Sequence, residues 1–227
     1  MVESRSSTAV RRWGAGTAAI VRLLVAADQP LTQVAIAEAV GVTQPRASQV
    51  LRSLGEVGAV STSARGYRGR RARLLDLYAK RSRPHLVGPE AFWFSLSPMI
   101  DQARAIARAA EAAGTTIAVS ADLGPDLLVP WRHPTLTVVY SSQRLHLDTA
   151  GFVPAEGIGD ASVIVRHTDD PTLMEPSPGW VATVDGIPLT DPVQQWRDLL
   201  ELGGEDRKEA ADRLRRAILN RELPRTT

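Results

Sequence analysis

The chain contains no cysteine, which excludes disulfides and thiolate metal sites and fits a reducing cytoplasm. No apolar run approaches the roughly 18–20 residues needed to span a bilayer. The opening MVESRSSTAVRRWGAG holds arginines but no apolar stretch ahead of a cleavage site, so no signal peptide, no membrane association and a cytoplasmic location are expected. Lysine is nearly absent: Lys80 and Lys208 are the only two, a bias that base composition alone can produce. Catalytic patterns are missing as well. There is no Gly-rich phosphate loop and no Gly-x-Ser-x-Gly elbow. There is also no Gly-Ser turn followed by spaced aspartates of the kind a nucleotidyltransferase needs. His85, His133, His146 and His167 form no close pair at metal-ligand spacing and read as structural. Asp169-Asp170 reads as a surface turn in HTDDPTLMEP. The expectation is a protein without catalytic residues, metal or cofactor.

What remains is an ordinary globular composition, 44% hydrophobic and 23% charged over 227 residues, enough for one large or two small domains. The formal net charge of +2 hides an asymmetry. Residues 1–83 carry 14 Lys+Arg against 5 Asp+Glu, a net of +9; the remainder carries 13 against 20, a net of −7. A basic N-terminal part beside an acidic C-terminal part points to nucleic acid as the partner of the first.

The local pattern in the basic part agrees. An amphipathic helix is expected from Ala15 to Ala27, with Ala18, Val21, Leu24 and Val25 as its apolar stripe. Thr32 is placed to cap a second helix that buries Val34, Ile36, Ala37 and Val40. Gly41 suits the left-handed residue that closes it, and Thr43 is placed to cap a third. Pro45 falls in the first turn of that third helix, where its missing N–H costs little. From Gln44 to Leu54 the faces separate: Ala47, Val50, Leu51 and Leu54 inward, and Gln44, Pro45, Ser48, Gln49 and Arg52 outward. This is a helix-turn-helix. A strand at Gly58–Thr62, an arginine-rich turn Arg65-Gly66-Tyr67-Arg68-Gly69-Arg70-Arg71 and a return strand at Arg71–Leu75 complete a basic wing. A short helix from Leu74 to Arg83 leads out, and Arg83-Pro84 is the expected boundary.

This stretch resembles winged helix-turn-helix regulators of the MarR-like kind. On that resemblance the third helix enters the major groove. Gln44, Ser48, Gln49 and Arg52 then reach base edges, glutamine suiting adenine and arginine guanine, and Thr43 and Arg46 complete the helix's DNA-facing set. Arg65, Arg68, Arg70 and Arg71 meet phosphates or a minor groove. Tyr67, placed at the wing tip, stacks or contacts a sugar. Arg11, Arg12 and Trp13 are either an arm along the DNA or a solvated basic tail.

The second half reads as mixed α/β. A helix is expected at Pro98–Ala113, stopped by Gly114. Strands are expected at Thr116–Val119, Leu136–Tyr140, Val163–Arg166 and Trp180–Val184, with a weaker one at Leu145–Leu147. Asp122 is placed to cap a short helix towards Leu128. A turn at Asp185-Gly186-Ile187-Pro188 precedes a helix opened by Asp191-Pro192, with Val193, Trp196, Leu199 and Leu200 on one face. Gly203-Gly204 ends that helix, and a last one, Asp206 to Leu219, groups Ala210, Ala211, Leu214 and Ile218. Trp131, Trp180 and Trp196 read as core or interface aromatics. The fold class is therefore α+β, with a winged helix-turn-helix domain at 1–83 and a mixed α/β domain at 84–227.

The C-terminal stretch WVATVDGIPLTDPVQQWRDLLELGGEDRKEAADRLRRAIL resembles the end of AbiEi-type antitoxins of type IV toxin–antitoxin pairs. The residues carrying the resemblance are Val184-Asp185-Gly186, Asp191-Pro192-Val193, Asp198-Leu199 and Gly203-Gly204, following an N-terminal winged helix in the same order. The resemblance implies a double-stranded-DNA-binding autorepressor acting on repeats in its own promoter. It also implies a nucleotidyltransferase-like toxin as functional partner, without a stable complex being required. One recognition helix covers one half-site, so a dimer or cooperative binding at repeats is expected. Two other readings compete: a regulator whose α/β domain binds a small effector, which needs a pocket with convergent polar groups, and a DNA-acting enzyme, which needs a carboxylate cluster.

Overall fold

The computed structural model describes residues 12–131 and 133–225. The protein is α+β: helices with a β-hairpin come first, followed by a mixed sheet with helices. The first part comprises α1 (Ala15–Ala26), α2 (Gln33–Val40), α3 (Gln44–Glu56), β1 (Val60–Ser63), β2 (Gly66–Gly69) and α4 (Arg71–Arg81). Helix α1 is buried on nearly every side, not along one stripe: Ala19, Ile20 and Leu23 join the expected Ala18, Val21, Leu24 and Val25. The reason is position. It touches α2, α3, α4 and β2 and, from the second half, α7, and a helix apolar all round is one enclosed by neighbours.

The α2–α3 junction follows its local chemistry. Thr32 Oγ1 accepts from the Ala35 N–H at 3.2 Å. Gly41 takes φ +70, and its N–H and that of Val42 tie back to the last carbonyls of α2. Helix α3 buries Ala47, Val50, Leu51 and Leu54, the face predicted from spacing. Two expectations change here. Thr43 occupies the cap position of α3 but its side chain makes no capping hydrogen bond. Val34 of α2 is exposed, and only Ile36 and Ala37 of that helix are fully buried.

The hairpin is shorter than expected and its return strand lies earlier. Val60 pairs with Gly69 and Ser63 with Gly66, while Arg71–Leu75 opens α4. Gly66 at φ +116 turns the chain, and a Cβ there would collide with the Leu31 carbonyl. Gly69 lies so close to α1 that a Cβ would meet the Leu24 carbonyl at 2.7 Å. Both positions hold the hairpin down on the helices.

The second part comprises β3 (Ala91–Phe94), α5 (Met99–Ala112), β4 (Ile117–Val119), α6 (Leu123–Leu128), β5 (Thr137–Ser141), β6 (Val153–Pro154), β7 (Val163–His167), β8 (Thr183–Val184), β9 (Ile187–Pro188), α7 (Pro192–Leu202) and α8 (Glu205–Asn220). Five strands form one sheet in the order β4-β5-β7-β3-β6. Only β5 and β7 run parallel; the other neighbours are antiparallel. Period-2 alternation divides the strands between two cores. Val119, Val139, Val163, Val165 and Trp93 join the cluster that continues into the N-terminal helices, whereas Ala118, Val138, Tyr140 and Ile164 pack with Leu173 and Met174.

Strand β3 lies outside the expected set, because Ala-Phe-Trp-Phe offers no polar alternation. The weaker strand at Leu145–Leu147 does not form, although both leucines are buried in the loop. The Trp180–Val184 strand shrinks to Thr183–Val184, with Trp180 buried before it. Leu200 faces outward from α7, leaving Val193, Trp196 and Leu199 as the buried set. Trp131 is exposed, its ring covered by the Arg213 guanidinium 3.3 Å from the centroid. No helix among the described residues is long and apolar enough to cross a membrane.

Candidate nucleic-acid interface

Helix α3 and the β1–β2 hairpin carry the residues singled out from sequence. Burying Ala47, Val50, Leu51 and Leu54 forces the intervening positions outward: Thr43, Gln44, Gln49 and Arg52 are exposed and Ser48 is half-buried. Arg46 is exposed as well, but its fork is engaged within the protein. Nη1 donates to Gln49 Oε1 at 2.8 Å and Nη2 to Thr17 Oγ1 of α1 at 2.9 Å. Arg46 thus fixes α3 against α1, and Gln49 is partly committed to it.

The basic turn divides into two groups. Arg65, Arg70 and, on α3, Arg52 make no side-chain bond to another described residue and face solvent. Arg68 is exposed with one weak tie, Nη2 to the Asp28 carbonyl at 3.3 Å. Arg71 is the opposite. Its Nε donates to the Val25 carbonyl at 2.7 Å, and Nη2 to the Ala27 carbonyl at 2.8 Å and Asp28 Oδ1 at 3.0 Å. It closes the C-terminal end of α1, where carbonyls lack partners, so its Nε and Nη2 are engaged within the protein. Tyr67 is displaced too. The hairpin tip is Ala64-Arg65, while Tyr67 lies within β2, exchanges backbone hydrogen bonds with Leu31 and packs partly buried on the core. Arg12 is exposed and Trp13 packs edge-on to Tyr78 at 6.5 Å, so Trp13 belongs to the helices and not to an arm. Arg11 lies outside the described residues.

Asp28, at the base of the hairpin, gathers arginines from far along the chain. Arg225 Nη1 reaches Asp28 Oδ2 at 3.0 Å and Arg221 Nε reaches Oδ1 at 3.3 Å, beside Arg71. Three guanidinium groups share one carboxylate. Arg71 is held below the ordinary arginine value by partial desolvation and by Arg221. No sequence signal could connect these positions, nearly 200 residues apart.

A second polar assembly joins the two halves. Arg22 of α1 is fully buried, donating from Nη1 to Tyr78 Oη at 2.9 Å and from Nη2 to Thr172. Tyr78 donates to Gln194 Oε1 of α7 at 2.7 Å. Gln194 Nε2 in turn donates to Asp198 Oδ1 at 2.9 Å and Tyr140 Oη at 3.0 Å. Asp198 also accepts from Ser120 at 2.5 Å and from Arg166 at 3.1 Å, and Arg166 Nε reaches Glu90 at 2.7 Å. Burial pushes the Asp198 carboxyl up against the pull of Arg166, and burial together with Asp198 pushes the Tyr140 phenol well up. Ser120, Tyr140 and Asp198 are enclosed completely. The cluster fixes α7 on the sheet.

The short C-terminal motifs are structural in the same sense. Asp185 and Gly186 take positive φ in the β8–β9 turn. Asp191 caps α7 by accepting from the Val193 N–H at 2.9 Å, and Gly203 and Gly204 break the chain at positive φ. Asp122 precedes α6 as expected, but its carboxylate is turned to Arg207, at 2.7 and 3.0 Å, instead of capping the helix. His85 pairs with Asp169 at 3.0 Å on the surface, holding that carboxyl below its usual value. Among the described residues no three His, Cys, Asp or Glu side chains assemble as a metal site. No protein-family profile fits the chain, and no curated protein is significantly similar to it.

Proposed function

We propose that this protein is a DNA-binding transcriptional autorepressor, the antitoxin of a type IV toxin–antitoxin pair of the AbiEi kind, with residues 1–83 acting as a winged helix-turn-helix. The observation that carries this reading is the disposition of charge on the first half. Helix α3 presents a polar outer face ending in Arg52, the hairpin presents Arg65, Arg68 and Arg70, and these four are the cations of the motif that internal bonds leave most available. A helix beside a basic hairpin matches the dimensions of a major groove and its flanking phosphates. Gln44 and Arg52 are the side chains with reach to base edges, while Arg65, Arg68 and Arg70 contribute phosphate contacts that position without reading sequence. The nucleotidyltransferase-like toxin of the neighbouring gene is the functional partner, and the C-terminal half serves neutralisation or repression.

The test is a salt-titrated binding assay on the protein's own upstream DNA against random duplex. Removing one arginine–phosphate pair should lower the slope of log K against log salt by about 0.9. A triple Arg65→Ala, Arg68→Ala, Arg70→Ala variant should therefore lose a slope of roughly 3 with sequence preference retained. Arg52→Ala should lose preference more than slope. Arg71→Ala is unsuitable, since it would unfix the end of α1. Absence of binding, or binding indifferent to all four arginines, would overturn the proposal.

A further inference from the structure

We infer that the cavity between α1, α4 and α7 is a binding site for a small oxyanion, a phosphate or carboxylate carried on a planar group, held by Arg12, Arg22 and Arg83 of the first half. The cavity measures about 250 Å³, near the lower end of the roughly 300–1,000 Å³ of small-molecule sites. Its floor is buried and polar: Arg22, Tyr78 and Gln194. Its rim is exposed and cationic, formed by Arg12 and Arg83, with the Trp13 ring as an apolar wall.

Three features separate this place from an accidental gap. The buried Arg22 keeps its Nε–H without a partner, although its other nitrogens are engaged; an unmatched N–H on a buried guanidinium is costly unless something answers it. The charge is unbalanced as well. Against Arg12, Arg22 and Arg83, Asp170 is the only carboxylate among the described lining residues, and its Oδ1 is already taken by Thr172; Asp191, which also acts on Arg22 from behind the lining, is taken by the Ser177 and Val193 N–H groups. His85 at the rim is committed to Asp169, while Arg197 and Glu201 stand behind Arg83 and largely offset each other. Finally, Arg83 spends only Nη1 internally, on the Ala79 and Ser82 carbonyls, so Nε and Nη2 remain to grip an anion. Arg83 is held below the ordinary arginine value chiefly by desolvation; Glu201 opposes the repulsion from Arg197, and Arg12 adds a smaller repulsion, which an anion relieves. A guanidinium fork suits phosphate or carboxylate geometry, and the Trp13 ring, with Arg81 6.0 Å from its centroid and Tyr78 edge-on, gives a planar substituent an apolar contact at the wall.

This site does not depend on the DNA reading, and its test uses no DNA. Isothermal titration of the full-length protein would use inorganic phosphate, phenyl phosphate and benzoate as probes, with phenol and benzamidine as neutral and cationic controls. Saturable binding of phenyl phosphate or benzoate is expected, tighter than inorganic phosphate and absent for both controls. Stronger binding of phenyl phosphate would name phosphate as the anion, and stronger binding of benzoate would name carboxylate. Arg83→Gln lies on the surface and should lower the melting temperature only slightly, through its bonds to the Ala79 and Ser82 carbonyls, while weakening binding at least tenfold. Arg12→Gln should weaken it less. Heat-silent titrations up to millimolar probe, equal binding of phenol, or full affinity in Arg83→Gln would each overturn the inference.

Discussion

Replacing Tyr78 by Phe removes one oxygen from the centre of the junction between the halves. That oxygen accepts from Arg22 at 2.9 Å and donates to Gln194 at 2.7 Å, with Tyr78 fully buried. Loss of the hydroxyl leaves a second guanidinium N–H unmatched, beside the Nε that already lacks a partner. It also orphans the Gln194 carbonyl oxygen. A buried neutral acceptor left unsatisfied costs about 1–3 kcal/mol and a charged donor more. The hydroxyl lies at the floor of the cavity of about 250 Å³, from which water can reach the orphaned groups and satisfy them in part. The expected loss is therefore about 2–3 kcal/mol, a large part of the ~5–15 kcal/mol that holds a typical domain. Urea denaturation, followed in parallel by tryptophan fluorescence and far-UV circular dichroism, measures it; the slope should be unchanged and the midpoint lower. There is also a signature in pH. Burial raises the folded phenol above its ordinary value of 10.0, so its contribution is complete below pH ~10 and fades as pH rises through the folded value. The Phe variant should lack that alkaline loss. A destabilisation below about 1 kcal/mol would refute the claim that this hydroxyl links the halves.

The caps of α2 and α3 differ and should respond differently: Thr32→Ala removes a real capping bond and should cost about 1 kcal/mol in chemical denaturation, whereas Thr43→Ala, which removes none, should stay within about 0.5 kcal/mol. Gly66→Ala places a Cβ on the Leu31 carbonyl at φ +116 and should cost more than about 2 kcal/mol, visible as a lower melting temperature; a neutral result would mean the hairpin is not seated on that backbone. Asp198→Asn removes the fully buried carboxylate that faces Arg166, leaving it Glu90 at 2.7 Å and Glu201 at 3.7 Å, and should cost about 2–3 kcal/mol, with a compensating Arg166→Met recovering part of it. Additive losses in the double variant would show that the two are not coupled.

Much of the first half is written locally. The Ala47-Val50-Leu51-Leu54 face of α3, the Thr32 cap, the left-handed Gly41 and the excess of positive charge all depend on spacing within a few residues, and spacing is what a sequence displays. The same holds for the Asp191 cap and the Gly203-Gly204 break in the second half. The hairpin is harder to read because its return strand, Gly-Tyr-Arg-Gly, has no apolar alternation; Gly66 and Gly69 are set by close approach to Leu31 and Leu24, which lie tens of residues away. Strand β3 is hidden for a related reason: Phe92, Trp93 and Phe94 are all apolar although only Trp93 is buried and Phe94 is exposed, so no alternation marks the strand.

Local order along the chain thus settles where most of the helices begin and end, which face of α3 is inward, and that the basic charge lies in the first half. Which cations are available is a matter of tertiary packing. Arg52, Arg65 and Arg70 stay unbonded among the described residues, whereas Arg46 is bonded to α1, Arg71 to the end of α1, and Arg22 to Tyr78 and Thr172. An arginine's hydrogen-bonding partners are fixed by chain segments that fold against it from a distance, so its role cannot be read from its neighbours in sequence. The Arg22–Tyr78–Gln194 chain spans positions separated by 56 and then 116 residues, and it exists only because packing α1 and α4 on α7 excludes the water that would otherwise satisfy those groups.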